Sequence, residues 1–342
     1  MKKPHFLTIE PTSECNARCP QCPRTFDTTL ETHPNLVIDE WSAEEMNNFL
    51  NDDWARGVVA GHINGNYGDI VMHSHPKEFL QNFIDRHIQI LVSTNGAALH
   101  KSFWSWLGKQ SNIKVEFAIE GVDQTSHEMY RRKTRLDVVL KNAKAYIAAG
   151  GNAIWMMTLF KHNYNQVDEA RKLADEYGFK KFETRYSERF IFRDLIISDG
   201  DYTLAPAPGL PIGIDEPDSL DNWFHDTSPA PKNMNEWEPL MVKKEGKLSC
   251  SVINKDNNLH NAYLSADKKL WPCCFIANDV DNGYKVGKMN DWIRRFYIGR
   301  GYDKNFNSLL HHTPEDILNS GFMEEVTSWN MDVCYQNCAG CD

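Results

Sequence analysis

Phe6-Leu7-Thr8-Ile9-Glu10-Pro11-Thr12-Ser13-Glu14-Cys15-Asn16-Ala17-Arg18-Cys19-Pro20-Gln21-Cys22-Pro23-Arg24 decides how the chain is read: a short β-rich run leads directly into a loop carrying three cysteines. Downstream, further β-rich runs at Val58–Asn64, Ile88–Thr94, Lys114–Glu120, Ala153–Phe160 and Lys180–Tyr186 alternate with helical patterns at Ser42–Leu50, Pro76–Arg86, Lys101–Leu107, Leu136–Ala149 and Asn165–Tyr177. Ser42 followed three residues later by Glu45 is a helix-start signal. Six repeated βα units imply an α/β fold with a parallel sheet, open or curled into a barrel, whose ligands bind at the C-terminal ends of the strands.

Three thiolates on one loop can hold three irons of a cubane [4Fe–4S] cluster and leave the fourth iron open to an outside ligand. Zinc is the alternative, but structural zinc asks for four closed ligands. No fourth cysteine or histidine lies nearby, and His5 and His33 fit no common zinc spacing. The nine cysteines are polarised along the chain: after Cys22 none occurs until Cys250, followed by Cys273, Cys274, Cys334, Cys338 and Cys341. In a reducing compartment such clusters are metal ligands more often than disulfides, so one metal centre at each end is the first expectation.

The chain has 342 residues, 41% of them hydrophobic, enough to fill a sizeable core. Its net charge of −10 and lack of a Lys/Arg block argue against non-specific nucleic-acid binding. No apolar run approaches the roughly 20 residues a membrane span needs, and Met1–His5 leads into a strand without a signal-type apolar segment, so the expectation is a cytoplasmic protein with no membrane contact. Between residues 187 and 246 the βα pattern stops. Seven of the 15 prolines fall between Pro206 and Pro239, mixed with acidic and aromatic residues, as in an irregular segment packed over the barrel mouth or in a plain connector. Beyond it, His260–Ile276 reads as a hairpin turning near Ala266-Asp267-Lys268.

The spacing Cys15, Cys19, Cys22 after a first strand resembles the signature of the radical S-adenosylmethionine (SAM) superfamily, and other strand ends agree in order. Gly65-Asn66-Tyr67-Gly68-Asp69 resembles the family's Gly-Gly-Glu motif, Ser93-Thr94-Asn95-Gly96 its Thr-Asn-Gly, and Ala118-Ile119-Glu120-Gly121 with His127 to Arg131 its Ser-Ile-Asp-Gly and His…Tyr-Arg. Gln21 replaces a residue that is often aromatic or apolar in the family, and Ala118 a serine. Cys250, Cys273, Cys338 and Cys341 resemble the ligands of the family's SPASM or twitch extension, leaving Cys274 and Cys334 over. A closed set of four cysteines would also satisfy zinc.

The resemblance implies a partial (β/α)6 TIM-like barrel over residues 1–190, a Pro-rich connector over 191–246 and a small cysteine-rich α+β module over 247–342. It implies a SAM-binding [4Fe–4S] cluster on Cys15, Cys19 and Cys22, an auxiliary [4Fe–4S] cluster, and an electron donor such as a flavodoxin or ferredoxin. Tyr67, Gly68 and Asp69 would face the SAM ammonium group, Thr94 and Asn95 the barrel mouth, Glu120 the ribose, Arg131 the SAM carboxylate and Leu159 the adenine. The activity implied is reductive SAM cleavage and hydrogen abstraction, first from a peptide or protein side chain. Small-molecule dehydrogenation, nucleic-acid modification and a non-catalytic iron–sulfur protein are the alternatives. Glu183, Arg185 and Tyr186 are placed to touch substrate.

Overall fold

The computed structural model describes residues 4–26, 31–34, 36–187, 197–199, 202–205, 207, 261–277 and 305–321. Its centre is an eight-stranded sheet. We label the strands β1 (Phe6–Ile9), β2 (Ala60–Ile63), β3 (Gln89–Thr94), β4 (Ile113–Ala118), β5 (Asn152–Leu159), β6 (Lys181–Tyr186), β7 (Asn261–Leu264) and β8 (Leu270–Trp271). Strands β1 to β6 are consecutive and parallel, and β7 adds to the free edge of β1, again in parallel. The anticipated hairpin is present, with β8 antiparallel to β7, and Lys268 takes a positive φ of 59° at its turn. What its sequence did not indicate is that it extends the main sheet, pairing Phe6 with Asn261 and Ile9 with Leu264.

The helices are α1 (Ala43–Asn51), α2 (Pro76–Asp85), α3 (Lys101–Leu107), α4 (Gln124–Tyr130), α5 (Leu136–Ala148), α6 (Val167–Tyr177), α7 (Cys274–Ala277) and α8 (Pro314–Leu318). Ser42 and Glu45 form a reciprocal capping box on α1, satisfying two donors that the first helical turn would otherwise leave open. Helix α4 has no apolar period in its sequence. It forms because Asp123 caps it, accepting from the Ser126 amide at 2.8 Å, and because His127 and Tyr130 are buried beneath it.

Alternation along the strands builds the core. Ile9, Ile63, Val92, Val115, Phe117, Trp155 and Met157 turn to the helix-covered face, where they pack with Phe79, Phe83, Trp104, Val139 and Tyr146. Full burial of each such side chain contributes about 1.5–3 kcal/mol. The other face is the inner face of the partial barrel and carries polar residues. No helix among the described residues is long and apolar enough to cross a membrane.

Candidate functional site

The three-cysteine loop leaves β1 and lies across the C-terminal ends of the neighbouring strands. Its backbone is held at both ends: the Cys22 amide donates to the Cys19 carbonyl at 3.0 Å, and Arg18 N donates to the carbonyl of Arg132 at 2.9 Å. Thr25 Oγ1 donates to the Cys19 carbonyl at 2.8 Å. Beneath the loop Ala17, Cys19, Tyr130, Phe160 and Leu204 form a small apolar cluster against which Cys15 and Cys22 pack, with the Tyr130 and Phe160 rings 4.4 Å apart.

Each thiol faces a polar group from another element: Asn66 and Asn95 follow strands, and Arg131 ends α4. Asn95 Nδ2 stands 3.8 Å from Cys15 Sγ, Arg131 Nη1 stands 3.7 Å from Cys19 Sγ, and the Asn66 carbonyl lies 3.8 Å from Cys22 Sγ. Burial pushes the Cys15 thiol far above its ordinary range, and the Asp69 carboxylate and the other two thiols push in the same direction. A bound metal removes that penalty by taking the place of the thiol proton. Among the described residues no three His, Cys, Asp or Glu side chains converge as the ligands of one ion do.

The loop Gly65–Asp69 is fastened from below by Glu10. Its Oε1 accepts from the amides of Tyr67 at 2.6 Å and Gly68 at 3.2 Å, while Oε2 accepts from the Tyr263 hydroxyl on β7 at 3.0 Å. Burial pushes the Glu10 carboxyl up to about 7, against the pull of these donors. Gly68 is required by close approach: a Cβ there would lie 1.6 Å from the Thr12 carbonyl oxygen.

Asp69 is the hub of the next strand end. Thr94 Oγ1 donates to its Oδ1, and both the backbone amide and Nδ2 of Asn95 donate to its Oδ2, each at 2.7 Å. Val71 N adds a fourth bond at 3.1 Å. Asp69, Thr94 and Asn95 are therefore brought together, and the carboxylate is engaged by its own loop and its neighbour. Burial raises the Asp69 pKa even so.

Glu120 and Arg131 are also brought together, but onto each other. Arg131 Nε and Nη2 grip Glu120 Oε2 and Oε1 at 2.7 and 2.8 Å. Burial pushes the fully buried Glu120 up, and the Arg131 guanidinium outweighs it, holding the carboxyl below its ordinary value. His127 accepts from the Glu120 amide through Nδ1 at 3.3 Å, with Nε2 3.0 Å from Thr134 Oγ1. Burial lowers its pKa to about 4, so it is neutral.

Leu159, at the end of β5, is buried. Gln21, at the position that is often aromatic or apolar in the resembled family, is buried and accepts from Ser187 Oγ at 2.6 Å just past β6. Two organising residues had no motif to announce them. One is Glu10, a carboxylate at the exit of an apolar strand. The other is Asn163, fully buried, which donates to the carbonyls of Glu120 at 2.8 Å and Thr158 at 3.0 Å and so ties the ends of β4 and β5.

Of the C-terminal cysteines, Cys273, expected at the second centre, follows β8, and Cys274, left over from that set, opens α7, where Asn66 Nδ2 donates to its carbonyl at 2.8 Å. Cys250, Cys334, Cys338 and Cys341 lie outside the described residues.

No family model matches the chain. A curated relative, mycofactocin maturase MftC of Mycobacterium ulcerans, is 22% identical over 176 residues, covering 51% of this chain and 45% of the maturase. The match therefore spans less than half of that relative's length. Among solved structures, SuiB of Streptococcus suis bound to precursor peptide SuiA superposes with a TM-score of 0.59 at 16% identity, covering 96% of this chain and 68% of SuiB. Native anSMEcpe with bound AdoMet and Kp18Cys peptide gives a TM-score of 0.54 at 14% identity, covering 98% of this chain and 88% of anSMEcpe. At these identities the solved structures show a shared fold: a mostly parallel α/β sheet on which, in this chain, a loop sets three cysteines over the strand ends.

Proposed function

We propose that the chain is an enzyme that cleaves SAM reductively and uses the resulting 5′-deoxyadenosyl radical to abstract hydrogen from a peptide or protein side chain. The observation that carries this reading is the environment of the three thiols, each of which meets a polar group from a different element over the strand ends. Cys15, Cys19 and Cys22 would hold three irons of a [4Fe–4S] cluster, which when bound supplies the electron for SAM cleavage at its open iron.

The chain's own residues hold and orient. Glu10 fixes the Tyr67 and Gly68 amides, which leaves the loop carbonyls to accept from an ammonium group. Asp69 locks Thr94 and Asn95 and thereby aims the Asn95 amide at Cys15. Arg131, neutralised by Glu120, keeps Nη1 for an anionic sulfur or a carboxylate. The apolar cluster of Tyr130, Phe160 and Leu204 excludes water from beneath the loop.

Support for a peptide substrate comes from the relatives: SuiB is bound to a precursor peptide and anSMEcpe to AdoMet and a peptide, and MftC is a maturase. An auxiliary [4Fe–4S] cluster on Cys250, Cys273, Cys338 and Cys341, an electron donor of the flavodoxin or ferredoxin kind, and a cytoplasmic site of action belong to the same proposal. Anaerobic reconstitution with dithionite and SAM tests it, with formation of 5′-deoxyadenosine as the expected result. An intact N-terminal cluster that yields none would leave a non-catalytic iron–sulfur protein. Iron and sulfide analysis of the wild type and of a Cys15/Cys19/Cys22→Ala variant should fall from about eight irons to about four if two cubanes are held.

A further inference from the structure

The inner face of the sheet carries a polar strip of which only Arg185 has been named above as a candidate substrate contact. Strand register places Thr8 beside His62, Ser93 beside Glu116, and Thr158 beside Arg185, all on the face opposite the helices. The side chains are joined in sequence. His62 Nε2 lies 2.7 Å from Ser93 Oγ, and Ser93 Oγ donates to Glu116 Oε1 at 2.9 Å. Arg185 Nη1 lies 3.9 Å from the same Glu116 oxygen, and its Nε donates to Thr158 Oγ1 at 3.5 Å.

The interior of a closed βα barrel is normally packed with branched apolar side chains, because polar groups there lose hydration. Here Glu116 is buried and His62 is held neutral, with burial, and secondarily Arg185, lowering its pKa to about 4. Ser93 donates its one proton to Glu116, so the proton between His62 and Ser93 belongs to His62 Nε2, and Nδ1 is left as an acceptor. Nδ1 makes no hydrogen bond among the described residues. Arg185 is only loosely held at 3.9 Å, and its side chain is 52% exposed, so most of its fork is open to the inner face.

The strip also lies next to the chemistry. Ser93 immediately precedes the Thr94 and Asn95 that face Asp69 and Cys15, and Glu116 precedes Glu120 by four residues. At a rise of about 3.3 Å per residue, the strip sits about 3–13 Å below the residues that surround the thiols.

We propose that this strip is the substrate-recognition surface, and that it selects a peptide carrying an acidic side chain. The substrate carboxylate seats bidentately on Arg185, and a peptide N–H donates to His62 Nδ1. Glu116 is the resident counter-ion that keeps Arg185 across the inner face until substrate arrives. A carboxylate matches the planar fork of arginine, and an amide N–H matches the neutral imidazole, so a peptide satisfies both ends. The proposal rests on the peptide-modification reading for its setting and deepens it to a substrate class.

The test uses the full-length reconstituted chain and isothermal titration with three probes: Ac-Gly-Glu-Gly-NH2, Ac-Gly-Gln-Gly-NH2 and glutarate. Binding is read without SAM turnover, so a failure here is distinct from a failure to form 5′-deoxyadenosine. The glutamyl peptide is expected to bind at least tenfold more tightly than the glutaminyl one. Arg185→Gln should abolish that preference, Arg185→Lys should retain part of it, and Glu116→Gln should strengthen it severalfold by removing the competing anion. A purely structural role would not move the Arg and Glu variants in opposite directions. Arg185 is half-exposed, so its variants will fold even if Glu116→Gln does not. Equal affinity for the two peptides, binding of neither, or a preference that survives in Arg185→Gln overturns the proposal. Arg185-dependent binding of glutarate without peptide discrimination overturns the peptide assignment and places the carboxylate on a small molecule.

Discussion

Arg131 grips both carboxylate oxygens of Glu120, at 2.7 and 2.8 Å, while a third nitrogen of the same guanidinium stands 3.7 Å from Cys19 Sγ. One residue thus joins the fourth strand end to the cysteine loop. The pair is nearly dry: the Glu120 side chain is 0% and the Arg131 side chain 16% exposed. A buried ion pair is weak in net terms but costly to break on one side, because the remaining charge stays buried without a partner.

Glu120→Gln is therefore expected to cost about 3–5 kcal/mol in urea unfolding, whereas Glu120→Leu with Arg131→Met should recover most of that stability but not SAM cleavage. Because the folded Glu120 pKa is depressed, the pair's contribution is present above the unfolded value near 4.5 and is lost as pH falls through the lower folded value. A loss under 1 kcal/mol in the single variant would argue that the pair is solvated.

Glu10 titrates in the opposite sense. Its folded pKa of about 7 lies above the ordinary 4.5, so the folded state binds the proton more tightly, and stability falls as pH rises from about 4.5 to about 7. The change is on the order of 3 kcal/mol. Glu10→Gln, which keeps the acceptor for the Tyr67 amide, should remove this slope. Denaturant midpoints of the wild type and the variant at pH 5 and pH 7.5 decide it, and parallel behaviour of the two proteins would count against the assignment.

His127 supplies a compensating slope. Its folded pKa of about 4 lies below the ordinary 6.5, so its contribution is complete above pH 6.5 and lost as pH falls toward 4. In the wild type the two groups oppose each other across this window. In Glu10→Gln the terms of His127 and of His62, whose pKa is likewise about 4, are unopposed by Glu10, and stability should rise with pH between 5 and 6.5. Histidine NMR should find the His127 ring still neutral at pH 5.5. A protonated ring at that pH would refute the assignment.

Gly68→Ala should be among the most damaging conservative changes in the barrel. The added methyl meets the Thr12 backbone oxygen at 1.6 Å, and no side chain can move aside to relieve it. The expected cost exceeds about 2 kcal/mol, with loss of SAM binding measured by equilibrium dialysis. Unchanged SAM affinity would separate this loop from the cofactor site.

Much of the scaffold was legible because its signals are local. Alternation and helical period located β1 to β6 within a residue or two, and the Ser42/Glu45 pair marked the start of α1. Helix α4 was not legible, because a seven-residue polar segment becomes a helix only through the Asp123 cap and the burial of His127 and Tyr130. The pairing of β7 with β1 was equally hidden, since parallel strands so far apart in the chain are joined by backbone hydrogen bonds that leave no mark on side-chain pattern.

At the site, Cys15, Cys19 and Cys22 and the strand-end motifs were marked in the sequence by their resemblance to a family pattern. Which partner each side chain takes could not. Glu120 and Arg131 were separately matched to a ribose and a carboxylate, and the fold turns them toward each other; Asp69 binds Thr94 and Asn95; Glu10 binds Tyr263 from the far end of the chain. The strip from His62 to Arg185 needs the register of neighbouring strands before its members become neighbours. Sequence by itself thus determined the element types, the thiol loop and the superfamily resemblance, because these depend on residues close together along the chain. Only the tertiary structure decided the pairings, because a buried charge or donor takes whichever complementary group the fold places within about 3 Å of it.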